Sequence, residues 1–268
     1  MSSVIHQMAL PKAPQRWAFA TDWHEDTLNI PTFNIFIQYM LSLPKDQRNV
    51  ILGGDFLNLN FLMPKGAEFQ SWVKNPLGCD TYFLPLWEKE TRWGNEKLDE
   101  LQSVCNNIIF LHGNHDNPRA DVFREKYCPV GYREHFHVGK ALNLEKRGIG
   151  EVMYGDWLDV GPYLSFCHGM AHGPSAPKRH FMLSGGRTVV HGHLHHYECT
   201  AFPVRGDTRY VYSMPCMADL NPAFIKNIDN NWANGFGDIL LMPDGSHYID
   251  VYIVKNGQTS IHGKVYIG

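Results

Sequence analysis

Positive charge is in short supply in this sequence. Lys and Arg number 24 against 27 Asp and Glu, for a formal net charge of −3. No global field therefore draws polyanions, and a histone-like or tail-like nucleic-acid binder is disfavoured, although a local basic patch stays open. Cysteine is sparse, and Cys79, Cys105, Cys128, Cys167, Cys199 and Cys216 include no C-x-x-C pair. That excludes a zinc ribbon or dithiol motif, and a chain this long needs no disulfide scaffold; reduced, mostly buried thiols are expected. Residues 1–15 hold no continuous apolar run of the kind a secretory leader needs. No stretch approaches the roughly 18–20 apolar residues of a spanning helix. The expectation is a soluble, cytoplasmic protein with no membrane partner. Internal repeats, low-complexity tracts and clear linkers are missing too, so one domain over residues 1–268 is expected.

What is present is enough apolar residue, 44%, for a substantial core. A chain of this size buries roughly 70–75% of its unfolded surface. Residues 17–21 read as a short buried strand and run into Asp22-Trp23-His24. Two residues apart in extended backbone, Asp22 and His24 share a face. Phe33, Phe36, Ile37, Met40 and Leu41 then recur at helical spacing between Pro31 and Pro44. Residues 50–52 form a second strand ahead of Gly53-Gly54-Asp55, which implies a right-handed parallel crossover. Residues 56–105 read as a helical, aromatic insert with a turn at Asn75-Pro76-Leu77-Gly78, a helix over 96–105, and Trp72, Tyr82, Phe83, Trp87 and Trp93 packing on the body.

A third strand, 108–111, delivers Gly113-Asn114-His115-Asp116. A fourth, 163–167, delivers His168-Gly169, and a fifth, 188–190, delivers His191-Gly192-His193-Leu194-His195-His196. His135-Phe136-His137 has ligand-like spacing but no strand and turn glycine before it, and reads as part of a half-exposed strand. Beyond residue 205 strands over 209–214 and 238–242, with hairpin turns at 243–245 and 255–257, predict an antiparallel C-terminal part spanning 205–268.

Five strand ends thus carry Asp, Asn or His. In α/β sheets such ends converge where ligands bind. Asp22, His24, Asp55, Asn114, His168, His193 and His195 are oxygen and imidazole donors without thiolate, which suits Mn²⁺, Fe or Zn²⁺ and is too rich in nitrogen for a Ca²⁺ cage. Seven donors suffice for two divalent ions sharing one carboxylate, the clamp used for in-line displacement at phosphorus.

The order Asp22-x-His24, Gly54-Asp55, Gly113-Asn114-His115-Asp116, His168-Gly169 and Gly192-His193-x-His195 resembles the calcineurin-like metallophosphoesterase superfamily. The resemblance implies an α/β fold, a four-layer αββα sandwich of two mixed β-sheets flanked by helices. It also implies that Asp22, His24, Asp55 and His195 hold one metal, and Asp55, Asn114, His168 and His193 the other, with Mn the first expectation. A hydroxide shared by the ions would attack phosphorus. His115 would stabilise the transition state or protonate the leaving oxygen, with Asp116 orienting its ring; Arg119 is a candidate for substrate phosphate, with a surface Arg the default expectation. His172-Gly173 repeats His168-Gly169, but His168 emerges directly from a strand and is preferred.

Protein Ser/Thr phosphatases of the superfamily have an Asp and an Arg soon after Gly-Asp, whereas Phe56-Leu57-Asn58-Leu59 stands here. The pattern is closer to the branch of nucleases and phosphodiesterases similar to Mre11 and SbcD, or to small cyclic-nucleotide phosphodiesterases. The long cap region of such nucleases is missing, which counts against duplex-DNA processing. The expected activity is phosphodiester hydrolysis in a nucleotide or nucleic acid. The alternatives are a phosphomonoesterase acting on a nucleotide, small metabolite or phosphoprotein, and, remotely, a non-catalytic metal-binding scaffold.

Overall fold

A computed structural model of the chain describes residues 4–74, 78–222 and 230–268. It opens with the strands β1 (Ile5–Met8) and β2 (Gln15–Ala20). Successive side chains of a strand point to opposite faces. Trp17 and Phe19 face one core and Ala18 and Ala20 another, so β2 is covered on both sides. Helix α1 (Ile30–Ser42) starts at Asn29, whose side chain accepts the Thr32 N–H at 3.0 Å, with Pro31 in the first turn where a missing N–H is harmless. Strand β3 (Asn49–Leu52) then pairs parallel to β2, giving the parallel pairing that was expected.

Helices α2 (Ala67–Lys74) and α3 (Cys79–Val104) follow. The second is much longer than the expected 96–105 segment, because Pro85 and Gly94 interrupt its pattern in the sequence but not its path. Gly94 is there for packing: a Cβ would stand 2.7 Å from Leu142 and 3.1 Å from Leu57. The aromatic residues of this stretch turn inward, with ring centroids 4.6 Å apart for Phe83 and Phe123 and 5.1 Å for Trp87 and Phe136. The turn expected at residues 75–78 falls largely on 75–77, outside the described residues.

Strand β4 (Asn107–Leu111) leads to α4 (Asn117–Lys126), the short α5 (Val138–Ala141) and β5 (Gly150–Val152). Residues 134–137 do not form the expected half-exposed strand. Glu134 and His135 end a 3₁₀ turn, because Phe136 is drawn into the core between Trp87 and Phe123. Next come β6 (Trp157–Val160), β7 (Leu164–Cys167), α6 (Ala176–Leu183), β8 (Thr188–His191), β9 (Glu198–Val204) and β10 (Asp207–Ser213). The chain ends with β11 (Asn234–Leu241), β12 (His247–Val254), β13 (Gln258–Ile261) and β14 (Lys264–Ile267).

Two six-stranded mixed sheets result, ordered β12-β11-β2-β3-β4-β5 and β1-β6-β7-β8-β10-β9. Trp17, Phe19, Ile51 and Leu111 of the first interleave with Leu158, Leu164, Phe166 and Val190 of the second. Phe19 stacks on Phe166 at 5.9 Å, and losing either ring would cost about 3–5 kcal/mol. The helices α1 and α3 cover the first sheet, and α6, through Phe181, packs on the second. The fold is the expected four-layer arrangement of two mixed sheets flanked by helices.

The C-terminal strands divide between the layers. β11 and β12 extend the first sheet antiparallel to β2, β10 joins the second sheet beside β8, and β13 and β14 pair only with each other. All six thiols are unbridged, five of them buried. No helix among the described residues is long and apolar enough to cross a membrane.

Candidate metal centre

Three neighbouring parallel strands of one sheet, β2, β3 and β4, and two of the other, β7 and β8, end at a common cleft. The β2 and β3 loops are tied together: Asp22 N–H donates to Gly54 O at 2.9 Å, and Trp23 and His24 N–H donate to Asp55 O at 2.9 and 3.0 Å. Asp22, His24, Asp55, His193 and His195 all take left-handed backbone, with φ of 55°, 49°, 49°, 72° and 60°. Such a conformation costs a non-glycine residue of order 1–3 kcal/mol and gathers at functional sites. These are five of the ten non-glycine residues with positive φ among those described, so the strain is concentrated here. Gly113 is required by close approach, because a Cβ would collide with the Asp55 carboxylate and amide.

All seven expected donors meet in this cleft. In one cluster His24 Nε2 lies 3.2 Å from His195 Nε2, which lies 3.2 Å from Asp22 Oδ1. In the other His168 Nε2 lies 3.1 Å from Asn114 Oδ1 and 3.3 Å from Asp55 Oδ2, with His193 completing the group. Asp55 Oδ2 is also 3.9 Å from His24 Nε2 and so faces both clusters. Its other oxygen accepts the His115 N–H at 2.7 Å. Asp22 divides its work likewise: Oδ2 accepts from the Thr21 hydroxyl and the His193 N–H, both at 2.9 Å, while Oδ1 is buried with no hydrogen-bond donor. His168 gives its Nδ1 proton to Gly53 O at 2.8 Å, which turns the Nε2 lone pair inward.

These donors fit metal ions. Bonds of about 2.0–2.2 Å set neighbouring ligands roughly 2.9–3.5 Å apart, the range in which the closest pairs stand. The buried Asp22 Oδ1 takes no backbone or hydroxyl donor and faces the His195 imidazole, a placement that suits a shared cation. Burial tends to raise the carboxyl pKa of Asp22 and Asp55, but the surrounding imidazoles outweigh it and hold both below the usual range. Burial pushes His24 and His193 down to about 4, whereas Asp55 and Asp22 overcome burial at His168 and raise it to about 9. Ionised carboxylates and neutral imidazoles are the states that ligate, so a metal entering the second cluster would displace the proton that Asp55 and Asp22 hold on His168.

His115 stands beside the clusters, with Nε2 3.8 Å from Asp55 Oδ2. Asp116 does not orient its ring, contrary to expectation. The Asp116 carboxylate is buried and accepts backbone N–H groups of Phe56, Leu57 and Gly113 at 3.3, 2.9 and 2.8 Å, so it braces the Gly-Asp loop. The partner of His115 is Asn58, whose Oδ1 lies 3.2 Å from Nδ1. Arg119, half-buried and not a free surface group, donates from Nη2 to His115 Nε2 at 2.7 Å and from Nη1 to Asn58 O and Asn60 Oδ1, both at 2.5 Å. A guanidinium can only donate, so a neutral His115 carries its proton on Nδ1 and gives it to Asn58. Asn58 Nδ2 in turn donates to Asp26 Oδ1 at 2.7 Å, which fixes the amide the right way round.

A cavity of about 400 Å³ opens on the first cluster, lined by His24, His195, His115, Arg119, Asn58, Asn60 and Trp232. A larger recess of about 680 Å³, beside Tyr163, Arg209 and Tyr248, contains none of the expected residues. Asn58 had one weak signal in the sequence, its place three residues after Asp55. Glu90 and Trp232 had none. Among the other histidines, His137 pairs with Arg124 away from the cleft, and His191 is buried against His180. His172 reaches His193 Nε2 at 2.9 Å but lies outside the two clusters.

Fold and site together define a two-sheet α/β protein with a cleft of carboxylates and imidazoles that could hold metal. No family model and no curated protein sequence matches the chain. Solved structures align with most of its length. Vps29 of Entamoeba histolytica complexed with Zn²⁺ is 12% identical over 95% of this chain and 97% of its own, with a TM-score of 0.47. Vps29 of Chaetomium thermophilum is 11% identical over 95% and 96%, with a TM-score of 0.47. Protein TM1076 of Thermotoga maritima is 11% identical over 88% and 98%, with a TM-score of 0.37.

Proposed function

We propose that the chain is a metal-dependent phosphoesterase of the metallophosphoesterase type that hydrolyses a phosphodiester, with a nucleotide-sized substrate favoured over duplex nucleic acid. The observation that carries this reading is Asp55 Oδ2, which stands 3.3 Å from His168 of one cluster and 3.9 Å from His24 of the other. Two ions bound there, Mn²⁺ by preference and Fe or Zn²⁺ as substitutes, supply Lewis acidity and a water of lowered pKa.

The chain's own residues do the rest. Arg119 presents its guanidinium to the cavity beside Asn58, Asn60 and His115, where it would neutralise and orient the phosphoryl anion. Neutral His115, with its proton on Nδ1, accepts from Arg119 and steadies that charge. Of the two roles open to it, transition-state support is favoured over giving a proton to the leaving oxygen. The cavity has the size of a small-ligand site, and Trp232 supplies an aromatic wall for the ester substituent.

The test is a panel of bis-p-nitrophenyl phosphate, p-nitrophenyl phosphate, cyclic nucleotides and single- and double-stranded DNA, with Mn²⁺ and with chelator. Turnover of diesters that chelator abolishes is the expected result. Activity on monoesters alone would replace this reading with a phosphomonoesterase, and no turnover on any ester would leave a binding scaffold.

A further inference from the structure

We infer that Glu90, on helix α3, is a positioning residue for the His115–Arg119 pair, acting through the Asn58-Leu59-Asn60 loop; the inference rests on the phosphoesterase reading above. Glu90 comes from the stretch of the chain that carries none of the metal motifs. It is 8% exposed and its Oε2 accepts the backbone N–H of Asn58 at 3.1 Å and of Leu59 at 2.8 Å.

The loop it holds does not adopt its shape at no cost. Leu59 sits at φ 46°, in left-handed backbone, with its side chain fully buried. Two adjacent N–H groups turned to one carboxylate oxygen make the kind of anion-binding nest that stabilises such a turn. The loop in that shape does three things at once. Asn58 Oδ1 receives the His115 proton, Asn58 O accepts from Arg119, and Asn60 Oδ1 accepts from the same Arg119 nitrogen. Every polar group of Asn58 is engaged, the last being Nδ2 on Asp26. Without Glu90, two N–H groups at a buried site lose their acceptor, and Leu59 loses the contact that offsets its strain. The loop would relax, releasing the His115 tautomer and the Arg119 fork together. Glu90 touches none of the seven metal donors, so the ions should be retained.

The experiment measures Mn²⁺-supported hydrolysis of bis-p-nitrophenyl phosphate at pH 8 by wild type, Glu90→Ala, Glu90→Gln, His115→Ala and the two combinations, with metal content and thermal unfolding recorded for each. Glu90→Ala is expected to keep its metal and lose about tenfold in kcat, an effect that shrinks to about threefold, the part carried by Arg119, when His115 is already Ala. Glu90→Gln, whose amide oxygen still accepts, should recover most of the rate. Should Glu90→Ala fail to fold, the Glu90→Gln change alone carries the comparison, expected at roughly twofold with His115 and less without it. A wild-type kcat in both Glu90 variants, or an equal loss with and without His115, overturns the inference. Wild type inactive on every ester would instead defeat the phosphoesterase reading itself.

Discussion

Replacing Asp22 or Asp55 by Asn should separate the two halves of the centre. Asp22 serves one cluster only, with Oδ1 at 3.2 Å from His195, whereas Asp55 Oδ2 faces both. The substitutions are nearly isosteric. An Asn at 22 can still accept from Thr21 and the His193 N–H through one oxygen and turn its amide toward His195, so the metal-free variant should fold. An ion held at a hundred times its Kd stabilises the native state by about 2.7 kcal/mol. For a chain of this length that is roughly 5–10 °C in Tm per ion. Mn²⁺ added to chelator-treated wild type should therefore raise Tm by roughly 10–20 °C. Asp22→Asn should keep about half of that rise, and Asp55→Asn little of it. Calorimetric melts of the three proteins with and without Mn²⁺ decide the matter. Equal losses in both variants, or no rise in wild type, would refute a shared carboxylate.

Three further outcomes follow from the hydrogen bonds around the cleft. Glu90 is buried, which raises its pKa from 4.5 to about 7. A raised folded pKa means stability that is complete below 4.5 and lost as pH climbs through 7, so wild type should weaken relative to Glu90→Gln over that window by roughly 3 kcal/mol at most. Equal pH dependence of the two urea midpoints would contradict it. Asp116→Asn sets an amide donor among backbone N–H groups and should destabilise by about 1–3 kcal/mol, read from the shift in urea midpoint, while His115 keeps its Asn58 partner. A selective loss of kcat at unchanged stability would restore Asp116 as the ring's orienter. Arg119→Ala should lower kcat/KM on a diester by about 10- to 100-fold, with Lys rescuing only part because it lacks the planar fork; unchanged kinetics would remove Arg119 from the substrate site.

The donors were legible in the sequence because each chemical motif adjoins a strand short and apolar enough to be read. Asp22, Asp55, Asn114, His168 and His193 all lie within a few residues of a strand's last apolar side chain, so order and spacing carried the information. That two sheets contribute, β2 to β4 from one and β7 and β8 from the other, came only with the resemblance; apolar runs alone do not say which strands pair. The orientation of His115 was misread for a related reason. Asp116 is adjacent in sequence, but its carboxylate is consumed by three N–H groups of its own turn and the Gly-Asp loop, and the residue that reaches the ring is Asn58, 57 positions away. Glu90 was invisible because helix propensity and burial say nothing of a loop packed against α3. The length of α3 was hidden by Pro85 and Gly94, the latter present for close packing on Leu57 and Leu142.

Electron paramagnetic resonance of the chain loaded with two equivalents of Mn²⁺ tests most directly whether two ions share Asp55. Two ions about 3.5–4 Å apart and bridged are exchange-coupled, so the predicted spectrum is the broad multiline pattern of a coupled pair, collapsing to a single-ion signal in Asp55→Asn. The six-line spectrum of isolated Mn²⁺ in the wild type, or the signal of free ion alone, would contradict it.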